Sequence, residues 1–212
     1  MDFQQWHHDV VGEKVVNALK KNHFDAVYFS NKEEAAEHVL GFISPGNTVG
    51  IGGSATITEL KLIEKAVEKG AEILNHNAPG LSPAEVMDIR RKQLLSDVFL
   101  CSSNAITRDG VLVNIDGVGN RVSAITFGPK KVAIVVGTNK ICKDVHSALE
   151  RIRAIASPIN NKRLGTANPC VKTGYCSDCQ GETRICNAYS IIKKRPRLTD
   201  ITVVVVGESL GF

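Results

Sequence analysis

The run ITVVVV at residues 201–206 sets six strand-forming residues in succession with no alternation of apolar and polar positions. A strand of that composition needs cover on both faces, as in a parallel sheet sandwiched by helices. KKVAIVVG (130–137) has the same character, and NTVGIGG (47–53) reads as a buried strand running into a glycine turn. All are far too short to span a bilayer. Helical signals alternate with them. After the apolar run FDAVYFS (24–30), Asn31-Lys32-Glu33-Glu34 forms a capping-box pattern and opens a helix to about Ser44. A second helix opens at Thr56, with Glu59 in the capping position and Ile57, Leu60, Ile63 and Val67 on one face. AEILNH (71–76) is a strand. Ser82-Pro83-Ala84-Glu85 then joins a cap, a first-turn proline and a capping Glu, opening a helix to about Leu95. Residues 143–156 form a helix with Val145, Leu149, Ile152 and Ala156 on one stripe, and Pro158 is expected to end it.

Between these helices the pattern changes. Three β runs, 98–106, 111–115 and 121–126, follow one another with no helix between, separated by Asp109-Gly110 and by Asp116-Gly117-Val118-Gly119-Asn120, both hairpin signals. Residues 160–197 show no apolar periodicity and hold four cysteines. The expected architecture is α/β: a mostly parallel central sheet with helices on both faces and an antiparallel hairpin addition. It forms a single domain over 1–212, with a cysteine-rich insertion at about 160–197 before the final strand 201–206.

Composition narrows the function classes. Hydrophobic and charged contents of 43% and 23% are ordinary for a globular protein, and a net charge of +4 is mild. KKRPR (193–197) is the one basic cluster, and the few aromatics do not interleave with basic residues, which argues against nucleic-acid binding. The start, MDFQQWHHDVVGEKV, lacks a basic region followed by an apolar stretch, so the expectation is a cytoplasmic protein without a membrane span.

Four polar stretches fall at or near strand ends. Gly52, Gly53, Ser54 and Thr56 lie between a strand and a helix N-terminus, where backbone N–H groups favour an anion; a tight turn with two caps is the plainer reading. The glycine spacing matches neither a Walker A loop nor a dinucleotide fingerprint. Ser103 and Asn104 end another strand, while Asn114 and Asp116 lie two apart on one face of the next; Asn139 and Lys140 stand at a further strand end. His76, also at a strand end, is the one histidine placed for a site.

The cysteines read C-x5-C-x2-C-x6-C: Cys170, Cys176, Cys179 and Cys186. In a reducing cytosol, clustered thiols point to metal ligation or redox chemistry more than to disulfides. Four thiolates suit a four-cysteine zinc site or a four-iron cluster, and the spacing matches neither a ferredoxin run nor a zinc ribbon. An unliganded loop, or disulfides formed on isolation, is the competing reading. Cys101 and Cys142 sit in or beside apolar runs and read as small buried hydrophobes.

VGIGGSATITEL (49–60), the stretch SSNAIT to TNKI (102–141), SPINNKRLG (157–165) and TDITVVVVGESLGF (199–212) together resemble the LUD domain family, the lactate-utilization proteins that include the LutC- and YkgG-like proteins. The resemblance implies a fold similar to the ribose-phosphate isomerase and CoA-transferase group, in which the glycine turn contacts phosphate or cofactor. It also implies a small anionic metabolite as ligand, a part in oxidation of lactate or a related 2-hydroxy acid, and an iron–sulfur oxidoreductase as partner. That redox setting places iron–sulfur ahead of zinc for the four cysteines. One alternative is a sugar-phosphate isomerase or CoA-transferase-like enzyme with a purely structural cysteine loop. A CoA transferase needs a carboxylate nucleophile, and Glu59 is the nearest to the turn. The other alternative is a non-catalytic subunit of an oxidoreductase complex. A homo-oligomer is compatible with all three.

Overall fold

A computed structural model describes residues 2–212. The chain opens with α1 (Phe3–Lys21), then β1 (Asp25–Phe29), α2 (Lys32–Leu40), β2 (Thr48–Ile51), α3 (Ala55–Glu59), α4 (Leu62–Glu68), β3 (Glu72–Leu74), α5 (Pro83–Gln93) and β4 (Val98–Cys101). It continues with β5 (Ala105–Thr107), β6 (Leu112–Asp116), α6 (Asn120–Thr126), β7 (Lys131–Gly137), β8 (Ile141–Cys142), α7 (Val145–Arg151), α8 (Ser157–Arg163), α9 (Cys170–Thr173), β9 (Ala188–Ile192) and β10 (Ile201–Val206). Six strands form the central sheet in the order β1-β10-β7-β4-β2-β3, every pair parallel. The other four form a mixed sheet, β8-β5-β6-β9.

Alternation along the central strands explains why they carry no polar face. On β4, Phe99 and Cys101 enter one apolar layer with α1 and α6, while Val98 and Leu100 enter the opposite layer with α2, α3 and α4. The valines of β10 divide in the same way, Val203 and Val205 one side, Val204 and Val206 the other. Two of the three caps read from sequence are present: the Asn31 side chain accepts the Glu34 N–H, and Ser82 and Glu85 form a reciprocal capping box. Among the described residues no helix is long and apolar enough to cross a membrane.

Six expectations are corrected. The run 98–106 splits at Ser102–Asn104, β4 joining the central sheet and β5 the second one. Residues 121–126 form helix α6 rather than a strand: its β-branched residues mimic alternation, but the buried positions, Ala124 and Ile125, are adjacent. Gly119, at φ +92°, turns the chain into it, so only the Asp109-Gly110 turn makes a hairpin. The helix expected from Thr56 is capped instead by Ser54 and breaks at Lys61, whose φ of +52° separates α3 from α4 and leaves Val67 exposed. Pro158 does not end its helix. A π-turn over Ile152–Ala156 shifts the ladder so that Pro158 falls in the first turn of α8, where no N–H is required. Finally, the cysteine-rich insertion is not wholly aperiodic, since β9 pairs with β6 over its whole length.

Two substitutions test this packing. Phe99 is fully buried on β4 against Gly50, where a Cβ would stand 2.8 Å from its ring. Phe99→Ala should cost about 3–5 kcal/mol in urea unfolding. Lys61→Gly should instead stabilise by about 1 kcal/mol, because the left-handed backbone strains a lysine and not a glycine.

Candidate functional site

All six central strands are parallel, so their C-terminal ends open on one edge of the sheet. From β2 the chain passes through α3 and α4 to β3 at the sheet's edge; from β3 it returns through α5 to β4 on the other side of β2. From β4 the chain goes on through β5, β6 and α6 to β7 on the side away from β2, so the connections of the adjacent strands β2 and β4 diverge and open a crevice at their ends. A cavity of about 260 Å³ occupies it, walled by the Gly52–Thr56 turn, the Ser102–Asn104 loop and the Asp116–Gly117 turn, with Lys140 also lining it.

The glycine turn is shaped for close approach. Gly53 adopts φ +66°, which side chains strain to reach, and a Cβ there would stand 3.2 Å from the Asn77 amide nitrogen. A Cβ on Gly52 would stand 2.9 Å from Cys101 and crowd Arg121. Ser54 Oγ caps α3 through the Ile57 N–H. Thr56 Oγ1, fully buried, donates to the Leu210 carbonyl and accepts from Lys140 Nζ at 2.8 Å. Glu59 is not a cap; its carboxylate accepts the Gly211 N–H at 2.9 Å.

Lys140 sits on a single 3₁₀ turn after β7 and is 3% exposed. Its ammonium donates to Thr56 Oγ1 and, at 3.0 Å, to Ser102 Oγ, and among the described residues it has no carboxylate ion pair. Burial, reinforced by the nearby charges of Arg151 and Arg121 and only slightly opposed by Glu59, pulls it down to about 7.

Arg121 is the scaffold of the site. Its guanidinium donates to the Ser102 carbonyl, Asn114 Oδ1, Asn104 Oδ1 and the Ile115 carbonyl at 2.8–3.1 Å, and lies 3.5 Å from the Asp116 carboxylate. Those bonds tie the β4–β5 loop to the end of β6. Asn104 and Asn114 spend their carbonyl oxygens on this lattice, and Ser103 Oγ is committed to the Ala105 and Val113 carbonyls.

Of the residues predicted from sequence, Gly52, Gly53, Ser54, Thr56, Ser103, Asn104, Asp116 and Lys140 line the cavity. Asn114 and Asn139 do not. Asn114 supports Arg121 from beneath, and Asn139 holds the chain after β10 through the Leu210 N–H and the Gly211 carbonyl. Sequence reasoning missed Arg90 on α5 and Arg163 on α8, which reach the cavity from helices distant in the chain. Arg163 donates to the Gly53 carbonyl at 3.0 Å, while Arg90 leaves its buried Nε without a partner. No local motif marks either residue. His76 lines the cavity as well. The Gln93 amide nitrogen lies 2.9 Å from its Nδ1 and shares its two N–H groups among that nitrogen and the Ile51 and Leu74 carbonyls, and burial lowers the His76 pKa, so a neutral ring presents Nε2–H.

The four cysteines of the insertion line a second, small cavity. Cys170 on α9 and Cys186 before β9 are buried; Cys176 and Cys179 are half-buried, and all are free thiols. Cys176 Sγ accepts the Asp178 N–H at 3.4 Å, and Arg184 braces the turn through Asp178 at 2.7 Å and the Cys186 carbonyl. Burial raises the Cys170 thiol, and the other three thiols, Cys186 first, raise it further. A thiol set whose members oppose one another's ionisation suits a cation, and four sulfurs with no competing carboxylate suit a thiophilic one. Among the described residues, no group of three or more His, Cys, Asp or Glu is gathered closely enough to hold an ion as it stands. Ile185 separates this cavity from the first and lines both. Cys101 and Cys142 are buried in apolar layers, as expected.

No protein of curated function matches the chain. Among solved structures, a DUF162 family protein from Deinococcus radiodurans is similar in fold, with a TM-score of 0.51 at 14% identity over 94% of this chain and 98% of that one. The family model of the LUD domain matches residues 12–206, and the chain therefore belongs to the LUD domain family.

Proposed function

We propose that the chain binds a small anionic metabolite in the sheet-edge cavity and takes part in oxidation of lactate or a related 2-hydroxy acid. The observation that carries the binding is Lys140, a buried amine without a carboxylate partner, in a cavity that Arg90 and Arg163 also line. Asp116 faces the same space but lies beside Arg121 and accepts the Val122 N–H, so it leaves the cations uncompensated. A volume of about 260 Å³ suits a metabolite of a few carbons rather than a dinucleotide. The lactate assignment rests on the family's association, and an iron–sulfur oxidoreductase partner would receive the electrons. The CoA-transferase alternative lacks a free nucleophile, because Glu59 is bound to the Gly211 amide and Asp116 to its own turn.

Binding should respond to pH with a definite sign. Lys140 loses its proton near 7, so affinity for oxalate or phosphate, measured by calorimetry, should fall as pH rises above about 7, approaching tenfold per pH unit. The charged groups that bear on Lys140 are Arg151, Arg121 and Glu59, and burial holds His76 below the ordinary imidazole value. Gly53→Val should remove measurable binding while leaving the far-ultraviolet spectrum unchanged. Unaltered affinity in that variant would place the anion elsewhere.

The cysteine loop carries a second reading. Cys170, Cys176, Cys179 and Cys186 would together hold one metal centre, a four-iron cluster ahead of zinc, and the donor set supports it. Ligation would organise a segment with few apolar residues of its own. Wild-type protein prepared without oxygen should contain iron and sulfide, or zinc, at about one centre per chain. Cys179→Ser should lose that metal and gain hydrogen exchange over 165–192 with the central sheet unaffected. Metal-free wild-type protein in that preparation would sink the reading.

A further inference from the structure

The anion site leaves one property of its central residue unused. Lys140 Nζ makes two donations, to Thr56 Oγ1 and Ser102 Oγ. An ammonium has three N–H groups, and here one finds no protein acceptor. A neutral amine has only two, so both are satisfied and the remaining tetrahedral position carries a lone pair. The residue lines the cavity while its stem is packed out of water. Arg151 on α7 and Arg121 on α6 flank it, each held by backbone carbonyls, Arg151 through those of Asn139 and Asn104 and Arg121 through those of Ser102 and Ile115. Fixed cations around a desolvated lysine are the arrangement that makes an amine nucleophilic near neutral pH. An amine serving only to attract anions gains nothing from losing its charge there.

We propose that Lys140 is a covalent nucleophile that forms an imine with the carbonyl carbon of a small 2-oxo acid. The proposal rests on the anion-site reading, which it deepens by naming the ligand's chemistry. The carboxylate would lie toward Arg90, Arg163 and the Gly52–Gly53 turn, placing the adjacent carbonyl at Nζ. The Nζ lone pair bonds to the carbonyl carbon and the C=O π electrons pass to oxygen. A proton then moves from nitrogen to oxygen, for which the Ser102 and Thr56 hydroxyls bonded to Nζ offer a relay. The nitrogen's second proton passes to that hydroxyl, which leaves as water while the nitrogen lone pair forms the C=N bond, so amine and ketone give imine and one water with no change of oxidation level. The neutral His76, with Nε2–H toward the Gly53 side, is placed to donate to the substrate carboxylate without protonating the amine.

The test uses the full chain. Wild-type protein is incubated with pyruvate, glyoxylate or ribose 5-phosphate and reduced with cyanoborohydride. Adducts are then counted by intact mass and located by peptide mapping. The expected result is one adduct per chain at Lys140 with a 2-oxo acid, formed faster as pH rises from 6 to 8, the reverse of the trend for simple anion binding. Lys140→Met and Lys140→Arg should show only the slow background shared by surface lysines. Because the map is read on wild-type protein, poor folding of either variant does not blunt the test. If Lys140 labels no faster than surface lysines while oxalate still binds, the imine is wrong and the anion site survives. If oxalate does not bind either, both readings fall together. Labelling with ribose 5-phosphate alone would overturn the 2-oxo acid class.

Discussion

The parallel pairing of β10 between β1 and β7 is the constraint on which the rest of the molecule depends. Five of its six residues, Ile201 and Val203–Val206, are wholly buried, and they feed both apolar layers. Without them, β1 has no partner in the sheet and α1 and α2 lose the surface they cover. The chain beyond β10 extends the same constraint into the site. Leu210 and Gly211 accept from Thr56 and Asn139, and Gly211 donates to Glu59, so the glycine turn and the Lys140 turn are tied to one segment. The cavity is therefore assembled late in any order of folding that proceeds along the sequence, because its walls come from strand ends that β7 and β10 bring together.

Charge is distributed unevenly within that cavity, and the asymmetry separates two kinds of basic residue. Arg121 makes four hydrogen bonds and Arg151 two, mostly to carbonyl oxygens, which fixes them as framework. Arg90, Arg163 and Lys140 retain donor capacity facing the space. A framework built from immobile cations raises the electrostatic potential at Lys140 whether or not a ligand is bound. That cost is tolerated at sites where a charge is to be received or a proton released.

Much of this arrangement was legible in the sequence, for a definite reason. Runs such as ITVVVV and VAIVV have only one stable use in a chain of this kind, and the Ser-Pro-Ala-Glu cap announces its helix by chemistry that acts over four residues. The strand-end positions of Gly52, Gly53 and Lys140 followed from the parallel sheet alone. What could not be read were features set by distant partners. Arg90 and Arg163 belong to the cavity only because α5 and α8 fold over it. Residues 121–126 read as a strand because Val122, Ala124 and Thr126 alternate, yet the Gly119 turn and the pull of Arg121 toward Ser102 and Asn114 make them a helix. Asn114, midway along β6, and Asn139, just after β7, are occupied in holding the framework, a distinction that residue type cannot make.

The cysteine segment joins these two levels. It crosses the turn after β6 so closely that a Cβ on Gly117 would stand 3.1 Å from Ile185, and Asn187 donates to the Asp116 and Gly117 carbonyls. Asn168 anchors its entry, donating to Asn161 and to the Thr183 carbonyl and accepting from the Thr183 hydroxyl. The exit is anchored by β9 on β6. Between those anchors lie the C-x2-C turn, with Asp178 at φ +51°, and Gly174 at φ +78°, a stretch held by Arg184 rather than by an apolar core. Ile185 is thus a shared wall, lining the thiol cavity on one side and the sheet-edge cavity on the other, with Gly117 packed beneath it.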